Sequence, residues 1–307
     1  MKQYAIIIML CSNQFFAQQN KTTIDTAFSE AGKIESITYK TNDKKDKVLN
    51  YYDGSLSDEF NFKNGIRDGL SIHYNYQKKG RIQSKLMYKD GLLNGLYQTY
   101  NDTGKIIYTG YNVNGKKNGL CTWYYENGAK KSEFYFKNDK EDSVATSYYL
   151  NGKKSFVGNY KDGKLEGKSI NYYKNGKPSL ETSYKNGKRD GPATYFYENG
   201  NIKYTGVYKD DKMFGERLCY NENGKLCNGD FKIYSEDGII ERECKCINGK
   251  PEGELKMYST YGILSMLVTF KNGKPDGLTY YYKNGKITTT ELYKDGVFEK
   301  KFKEDDK

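Results

Sequence analysis

Glycines recur through this sequence at a nearly constant spacing, and that spacing limits what the chain can fold into. Between Gly80 and Gly224 every step from one equivalent glycine to the next is 24 residues. The full series is Gly32, Gly54, Gly80, Gly104, Gly128, Gly152, Gly176, Gly200, Gly224, Gly238, Gly262 and Gly285. A second series runs in phase with it, with Ser143 once in place of glycine: Gly69, Gly95, Gly119, Gly167, Gly191, Gly215, Gly253 and Gly277. Two series in phase indicate a structural repeat.

An aromatic residue stands five positions after each glycine of the second series. These residues form the aromatic row: Tyr74, Tyr100, Tyr124, Tyr148, Tyr172, Phe196, Tyr220, Tyr258 and Tyr282. Turn sequences such as Glu-Asn-Gly separate the aromatic runs and are typical of β-hairpins whose glycine is left-handed. One hairpin alone is marginal in water, so we expect neighbouring hairpins to stack and bury the row. The sequence therefore predicts an all-β fold, an elongated single-layer array of β-hairpin repeats of about 24 residues each.

Composition and charge agree with a folded chain and bear on its partners. The 32 tyrosines, against a single tryptophan, are too regularly placed for a disordered chain. The formal net charge of +11 favours an anionic surface as partner, but lysines in turns also solvate sheet edges. No run of five or six like charges stands out, and we expect no nucleic-acid partner.

The N-terminal residues resemble a secretory signal peptide. One lysine precedes the apolar stretch Ala5–Cys11, and Ala17-Gln18 offers a cleavage site. The stretch is too short to span a bilayer, so no transmembrane segment is expected. An N-terminal strand is the alternative. We therefore predict export to the periplasm, cell surface or medium, with this division: signal peptide 1–17, repeat array 18–223, irregular shortened repeat 224–245, further repeats 246–298 and charged tail 299–307.

Two stretches carry a resemblance to a known family. Residues 167–191, GKSINYYKNGKPSLETSYKNGKRDG, and residues 277–296 resemble the bacterial variant of the MORN repeat, and the resemblance extends over roughly residues 28–298. It implies an elongated scaffold that binds proteins or lipids, and some bacterial relatives carry an antitoxin label. The sequence departs from the pattern at Asp139 and Asp211, where a linker glycine is expected.

Catalytic and metal-binding patterns are weak. The single histidine, His73, has no G-x-S-x-G elbow beside it, and we predict no enzyme, no cofactor and no metal site. Cys219 and Cys227 flank the turn Glu222-Asn223-Gly224 and lie directly opposite each other if the loop has three residues. In an exported protein we predict a disulfide between them, with buried thiols as the alternative. Zinc is disfavoured, because neither a C-x-x-C pair nor a local histidine supports it.

The predicted binding surface is rich in tyrosine. The residues directly after the aromatic row form the tyrosine ladder: Tyr125, Tyr149, Tyr173 and Tyr197. The position just before the row varies and holds Trp123, Tyr195 and Tyr281. Strand alternation places both sets on the face opposite the aromatic row. We predict that this face is exposed and binds a protein, glycan or cell-envelope partner. A purely stiffening role for the ladder is one alternative, and an antitoxin that neutralises a toxin by binding is the alternative function.

Overall fold

The structure, a computed structural model, describes residues 21–75, 77–78, 80–235 and 238–302, and the backbone of residues 5–7. Every regular element of these residues is a β-strand, and neighbouring strands pair antiparallel. The predicted all-β array of hairpins is therefore confirmed. Except for the backbone of residues 5–7, the predicted signal peptide lies outside the described residues, as do residues 303–307 of the predicted tail.

The chain divides into two compact units, Met1–Gly152 (unit 1) and Lys153–Lys307 (unit 2). The strands of unit 1 are β1 Ala5–Ile7, β2 Thr22–Phe28, β3 Ile34–Thr41, β4 Lys44–Tyr52, β5 Ser55–Lys63, β6 Ile66–Arg67, β7 Gly69–Asn75, β8 Arg81–Lys89, β9 Leu92–Tyr100, β10 Ile106–Val113, β11 Lys116–Lys117, β12 Gly119–Tyr124, β13 Lys130–Lys137 and β14 Lys140–Tyr148.

Unit 2 contains two groups of strands. The first group is β15 Lys154–Lys161, β16 Lys164–Leu165, β17 Gly167–Tyr172, β18 Pro178–Lys185, β19 Lys188–Phe196, β20 Ile202–Lys209 and β21 Lys212–Cys219. The second group forms a separate seven-stranded sheet of β22 Gly229–Tyr234, β23 Ile240–Ile247, β24 Lys250–Tyr258, β25 Leu264–Lys271, β26 Lys274–Lys283, β27 Lys286–Lys294 and β28 Val297–Phe302. The 14-residue step from Gly224 to Gly238 coincides with the start of the second sheet. The domain boundaries predicted from the sequence stay a prediction.

The repeat pattern predicts a linker between one hairpin and the next, with the sequence Tyr-Lys-Asn-Gly-Lys-Arg-Asp-Gly at residues 184–191 as an example. In the structure these segments are tight hairpin turns instead. Asn64 and Gly65 have φ of 53° and 82°, the two positive values that a two-residue type I′ turn requires. Asp211, which replaces the expected glycine, has φ of 68° and keeps the same turn. Aspartate tolerates this conformation better than most residues, because its short side chain bonds locally. The glycine turns of the first series and these tight turns therefore both join neighbouring antiparallel strands. The strands follow one another as a meander and are not separate hairpins on linkers.

Backbone hydrogen bonds tie these tight turns to the preceding repeat. In each case a turn amide donates to a carbonyl located 22 or 24 residues earlier. The pairs are Gly91 to Arg67 (2.8 Å), Gly115 to Leu93 (2.7 Å), Asp139 to Lys117 (3.0 Å), Gly187 to Leu165 (2.8 Å) and Asp211 to Arg189 (2.9 Å). Because each bond joins two repeats, a repeat is completed by its neighbour, as expected for a repeat array.

In unit 2 the second sheet packs against β21. Alternate amides of β21, from Gly215, Arg217 and Cys219, donate to the carbonyls of Gly296, Gly273 and Gly249 at 3.0, 2.7 and 2.7 Å. Those three glycines belong to alternate turns of the second sheet, which join β23 to β24, β25 to β26 and β27 to β28. A buried cluster fills the space between: Tyr204, Cys219, Cys227, Cys244, Cys246, Leu255, Val268 and Phe270. Burial of each large apolar side chain contributes about 1.5–3 kcal/mol, so this contact is a main source of stability in unit 2.

Candidate functional site

The face predicted to be exposed is the packed face in unit 1. The Trp123 ring lies 5.0 Å from Tyr108 and 5.8 Å from Phe134, measured between ring centres, above the fully buried Cys121. Small side chains on this face leave room for the rings to lean over them. Gly110 shows how close the packing is, since a Cβ there would lie 2.7 Å from Cζ of Tyr108. The predicted exposure of Trp123 is therefore wrong.

Tyr195 and Tyr281, at the equivalent position in unit 2, also point into packed surroundings. Tyr195 stacks on Tyr204 with ring centres 4.0 Å apart, and its hydroxyl lies 3.4 Å from that of Tyr208. Tyr281 donates to the buried carboxylate of Glu291 at 2.9 Å. The second sheet covers this face of β19–β21, which the repeat pattern alone does not show. Their predicted exposure is wrong as well, while their role in binding stays a prediction.

The tyrosine ladder is half-buried and links successive repeats. Tyr125, Tyr173 and Tyr197 donate their hydroxyls to backbone carbonyls of Tyr148, Phe196 and Tyr220 at 2.7, 2.6 and 2.8 Å. Each acceptor lies 23 residues further along the chain and belongs to the aromatic row of the next repeat. Tyr149 is half-buried too. The described contacts favour the stiffening role, and the binding role of the ladder stays a prediction.

Two ladder tyrosines nevertheless line an open cleft in unit 2. Tyr173, Tyr197 and the exposed Tyr234 surround a volume of about 520 Å³, together with the ion pair between Lys203 and Glu241 at 2.9 Å. The cleft offers edges of aromatic rings rather than a continuous ladder, because the ladder hydroxyls are already bonded to backbone. It brings together two of the seven predicted binding residues.

The aromatic row lies on the opposite face, beside acidic side chains. Tyr148 donates to Glu133 at 2.6 Å, and Tyr258 donates to Glu243 at 2.7 Å. Burial, followed by the hydrogen bond to the carboxylate, raises the pKa of each tyrosine to about 12. The row therefore forms a polar aromatic layer rather than the dry packed stripe expected from the sequence.

The same face of unit 1 carries exposed apolar side chains, here called the outer stripe. Its members, on six consecutive long strands, are Met87 (36% exposed), Leu96 (47%), Tyr111 (47%), Leu120 (40%), Tyr135 (47%) and Val144 (43%). Leu96 is paired with Tyr111 and Leu120 with Tyr135 across neighbouring strands. With strands about 4.8 Å apart, six strands give a stripe roughly 24 Å long. This surface is not among those predicted from the sequence.

The five described cysteines are buried free thiols, so the predicted Cys219–Cys227 disulfide is not formed in this structure. The two residues are neighbours, as expected, since the Cys227 amide donates to the Cys219 carbonyl at 3.1 Å. The Cys219 thiol instead meets Cys244 and Cys246 from β23. Hydrogen bonds from these two thiols, followed by nearby arginine charge, lower the pKa of Cys219. The bridge stays a prediction for oxidising conditions.

Unit 2 also encloses a cavity of about 210 Å³ between β19–β21 and the second sheet. Arg189, Arg217 and Arg242 line it together with several tyrosines. Among the described residues, no three histidine, cysteine or acidic side chains are grouped so that they could hold a metal ion. In that part of the chain, too, no helix has the length and hydropathy needed to cross a lipid bilayer.

A family model described as the MORN repeat variant matches four segments of the chain, residues 117–138, 165–186, 189–210 and 278–295. No curated protein matches the chain. Among solved structures, the crystal structure of TcdB2-TccC3-TEV is 12% identical with a TM-score of 0.18, and the match covers 90% of this chain but only 17% of that one. A porin-like protein from Bacteroides uniformis is 11% identical with a TM-score of 0.14, covering 94% and 89%. These two likenesses carry no argument about function.

Proposed function

We propose that this chain, which carries MORN-variant repeats at four places, is a non-enzymatic scaffold that docks a protein partner on the outer stripe of unit 1. One observation carries the proposal: six apolar side chains, each more than a third exposed, stand side by side on neighbouring strands. Isolated exposed apolar residues are common, but a contiguous line of them marks an interaction surface.

The chemistry of the outer stripe favours a protein over a glycan. Four of its six side chains, Met87, Leu96, Leu120 and Val144, are aliphatic and offer no hydrogen bond to sugar hydroxyls. Protein interfaces combine an apolar centre with tyrosine and methionine and a polar rim. Tyr111 and Tyr135 supply the aromatic part, and Glu133 and Lys130, paired beside the stripe, supply charge. The net charge of +11 favours a partner with acidic flanks.

Export belongs to the proposal, supported by the N-terminal pattern of one lysine, the apolar stretch Ala5–Cys11 and Ala17-Gln18. Mass spectrometry of the protein from its producing cells should find a mature chain that begins near Gln18. Intact residues 1–14 on protein in the cytoplasm would contradict export. The antitoxin alternative uses the same kind of surface with a toxin as the partner.

The docking surface can be tested by site-specific photo-crosslinking in the producing cells. A photo-reactive phenylalanine in place of Tyr111 should capture one specific protein, whereas the same group in place of Tyr261, which is 85% exposed in unit 2, should not. The double variant Tyr111→Ser and Leu120→Ser should lose that partner in a pull-down. The matched control, Val207→Ser with Phe214→Ser, alters a similarly exposed pair in unit 2 and should retain it.

Surface substitutions of this kind change the free energy of unfolding by about 0.5 kcal/mol or less, so all variants should fold. Equal capture from Tyr111 and Tyr261, or a partner retained by the stripe variant, would overturn the proposal. A homodimer that only the stripe variant loses would assign the stripe to a second copy of the chain. Cosedimentation with envelope polysaccharide, lost in that variant, would favour a glycan. A captured toxin would support the antitoxin alternative.

A further inference from the structure

Two arginines are buried in unit 2 with donors that have no acceptor. Arg217 of β21 is 3% exposed and Arg242 of β23 is 8% exposed. Nε and Nη1 of both guanidinium groups, and the hydroxyl of the buried Thr279, have no hydrogen-bond partner among the described residues. Burying an unpaired charge or an unsatisfied donor is strongly unfavourable. All three side chains line the same cavity of about 210 Å³.

The carboxylates near the cavity are already engaged. Asp211 accepts from Arg189 at 3.1 Å. Glu291 binds Lys212 and accepts hydrogen bonds from Tyr281 and Tyr293 at 2.9 and 3.0 Å. These pairs neutralise Arg189 and Lys212, and the charges of Arg217 and Arg242 remain. The cavity is therefore positively charged.

One aromatic ring, that of Tyr204, contacts both guanidinium groups. The Cζ atoms of Arg242 and Arg217 lie 4.2 and 4.9 Å from the centre of the Tyr204 ring. Arg242 also donates to the Tyr204 hydroxyl at 3.2 Å through Nη2. The two Cζ atoms are thus at most about 9 Å apart, and planar guanidinium donors suit carboxylate and phosphate oxygens.

We propose that this cavity binds one small oxyanion, a carboxylate or phosphate group, between Arg217, Arg242 and Thr279. Its volume admits an inorganic ion or a compact organic acid and is smaller than the sites of drug-sized ligands. The aromatic walls would contact the body of an organic acid while the arginines bind its oxygens. The site belongs to unit 2, is independent of the outer stripe and adds a ligand to the proposed scaffold.

Two neighbouring groups respond to the same positive charge. Burial alone would raise the pKa of Tyr208, but Arg217 and a hydrogen bond with Tyr195 reverse the shift and lower it. The pKa of Cys219 is lowered first by hydrogen bonds with the thiols of Cys244 and Cys246, and the charges of Arg217 and Arg242 lower it further. A thiolate at Cys219 would compete with a bound anion for the arginine charge, so Cys219→Ser should bind the anion more tightly.

Binding can be measured on the full chain by isothermal titration calorimetry at constant ionic strength, with chloride as the reference. Inorganic phosphate tests whether the cavity binds a phosphate group, and benzoate tests whether it binds a carboxylate. We expect one saturable site per chain for at least one probe, with Kd at or below about 1 mM. Arg217→Met and Arg242→Met should each weaken binding about tenfold or more. Arg67→Met should not, because Arg67 stacks on Phe60 at 4.0 Å in unit 1.

Circular dichroism shows whether each variant folds. Thr279→Val keeps the shape of the side chain and removes the free hydroxyl, so it supplies a test if an arginine variant fails to fold, and it should weaken binding several-fold. The proposal is overturned if neither probe binds the wild-type chain saturably. It is also overturned if folded Arg217→Met, Arg242→Met and Thr279→Val all bind as tightly as wild type.

Discussion

Removing one hydroxyl from the tyrosine ladder should measurably destabilise unit 1. Tyr125 donates to the Tyr148 carbonyl at 2.7 Å, a bond that joins two repeats across the intervening β13. Tyr125→Phe deletes that bond and leaves the ring in place. The sequence pattern predicts the opposite, because it places the ladder on an exposed face where such a change is neutral.

The expected magnitude follows from the bond and the burial. A neutral intramolecular hydrogen bond contributes about 1 kcal/mol to the free energy of unfolding. With a urea m-value of about 2 kcal/mol/M, Tyr125→Phe should lower the unfolding midpoint by about 0.5 M. Tyr125→Ala also removes a half-buried ring, for which about half of the 3–5 kcal/mol of a full core aromatic is appropriate. Its midpoint should therefore fall by more than about 1 M.

The chain offers its own reporter for this experiment. Trp123 is the single tryptophan and packs in the buried cluster of unit 1, so its emission follows the unfolding of that unit. Urea titration with excitation of tryptophan gives the midpoint for wild type and each variant. An unchanged slope would confirm that stability, and not the unfolded state, has changed.

The matched controls are Tyr111→Phe and Tyr135→Phe, the same chemical change at two residues that are 47% exposed in the same unit. They should move the midpoint by less than about 0.25 M, since exposed substitutions change stability by about 0.5 kcal/mol at most. If Tyr125→Phe behaves like these controls, the hydroxyl does not couple the repeats. The assignment of the buried face would then have to be reversed.

Three further predictions concern backbone strain, pH and thiol chemistry. Ser143 has φ of 79°, so Ser143→Gly should relieve about 1 kcal/mol of strain and raise Tm by about 2–4 °C in a calorimetric scan; a lower Tm would contradict this. Burial and Glu133 raise the pKa of Tyr148 to about 12, so the free energy of unfolding should fall as pH rises from 10 to 12. The free energy of unfolding of Tyr148→Phe should fall less than that of wild type over this pH range. Equal falls would show that Tyr148 does not cause the pH dependence. Non-reducing peptide mapping of exported protein should find the Cys219–Cys227 bridge, and free thiols at both positions would exclude it.

Turn chemistry predicts the hairpins, and it also carries the signal for the tight turns that replace the expected linkers. The dipeptide Asn64-Gly65 supplies two residues that tolerate positive φ, and only a two-residue hairpin turn uses both. Strand alternation likewise predicts that Trp123 and Tyr125 share one face. Alternation shows which side chains share a face, however, and does not show which of the two faces is buried.

A signal for the buried face was present in the residues three positions before the aromatic row. Several repeats carry a small side chain there, as at Ser71, Cys121, Ala145, Ser169 and Ala193, and all five are nearly or fully buried. Small residues at a fixed place indicate close packing more directly than tyrosines do. Arg217 takes the same position in the next repeat. A large charged residue at a position that is otherwise small indicates where the cavity lies.

The outer stripe also has a signal that depends on comparing repeats. The residue after each glycine of the second series is aliphatic at Leu70, Leu96 and Leu120, and Val144 follows Ser143, but the next repeat has Lys168. This change from an aliphatic side chain to a lysine coincides with the passage from unit 1 to unit 2. The contact between β21 and the second sheet could not be predicted in this way, because it joins residues far apart in sequence and no repeat position specifies it.

The contact of β21 with three alternate turns of the second sheet limits how this array can change its length. Most of a repeat array can gain or lose a unit by duplication or deletion, since each unit needs only its neighbours. Here Gly215, Arg217 and Cys219 offer three amides to three turn carbonyls, and β21 ends at Cys219. A fourth hairpin inserted between Gly249 and Gly296 would need a further amide, because those of Gly215, Arg217 and Cys219 are already bonded. The number of amides that β21 presents therefore limits how many turns of this sheet can bond to it.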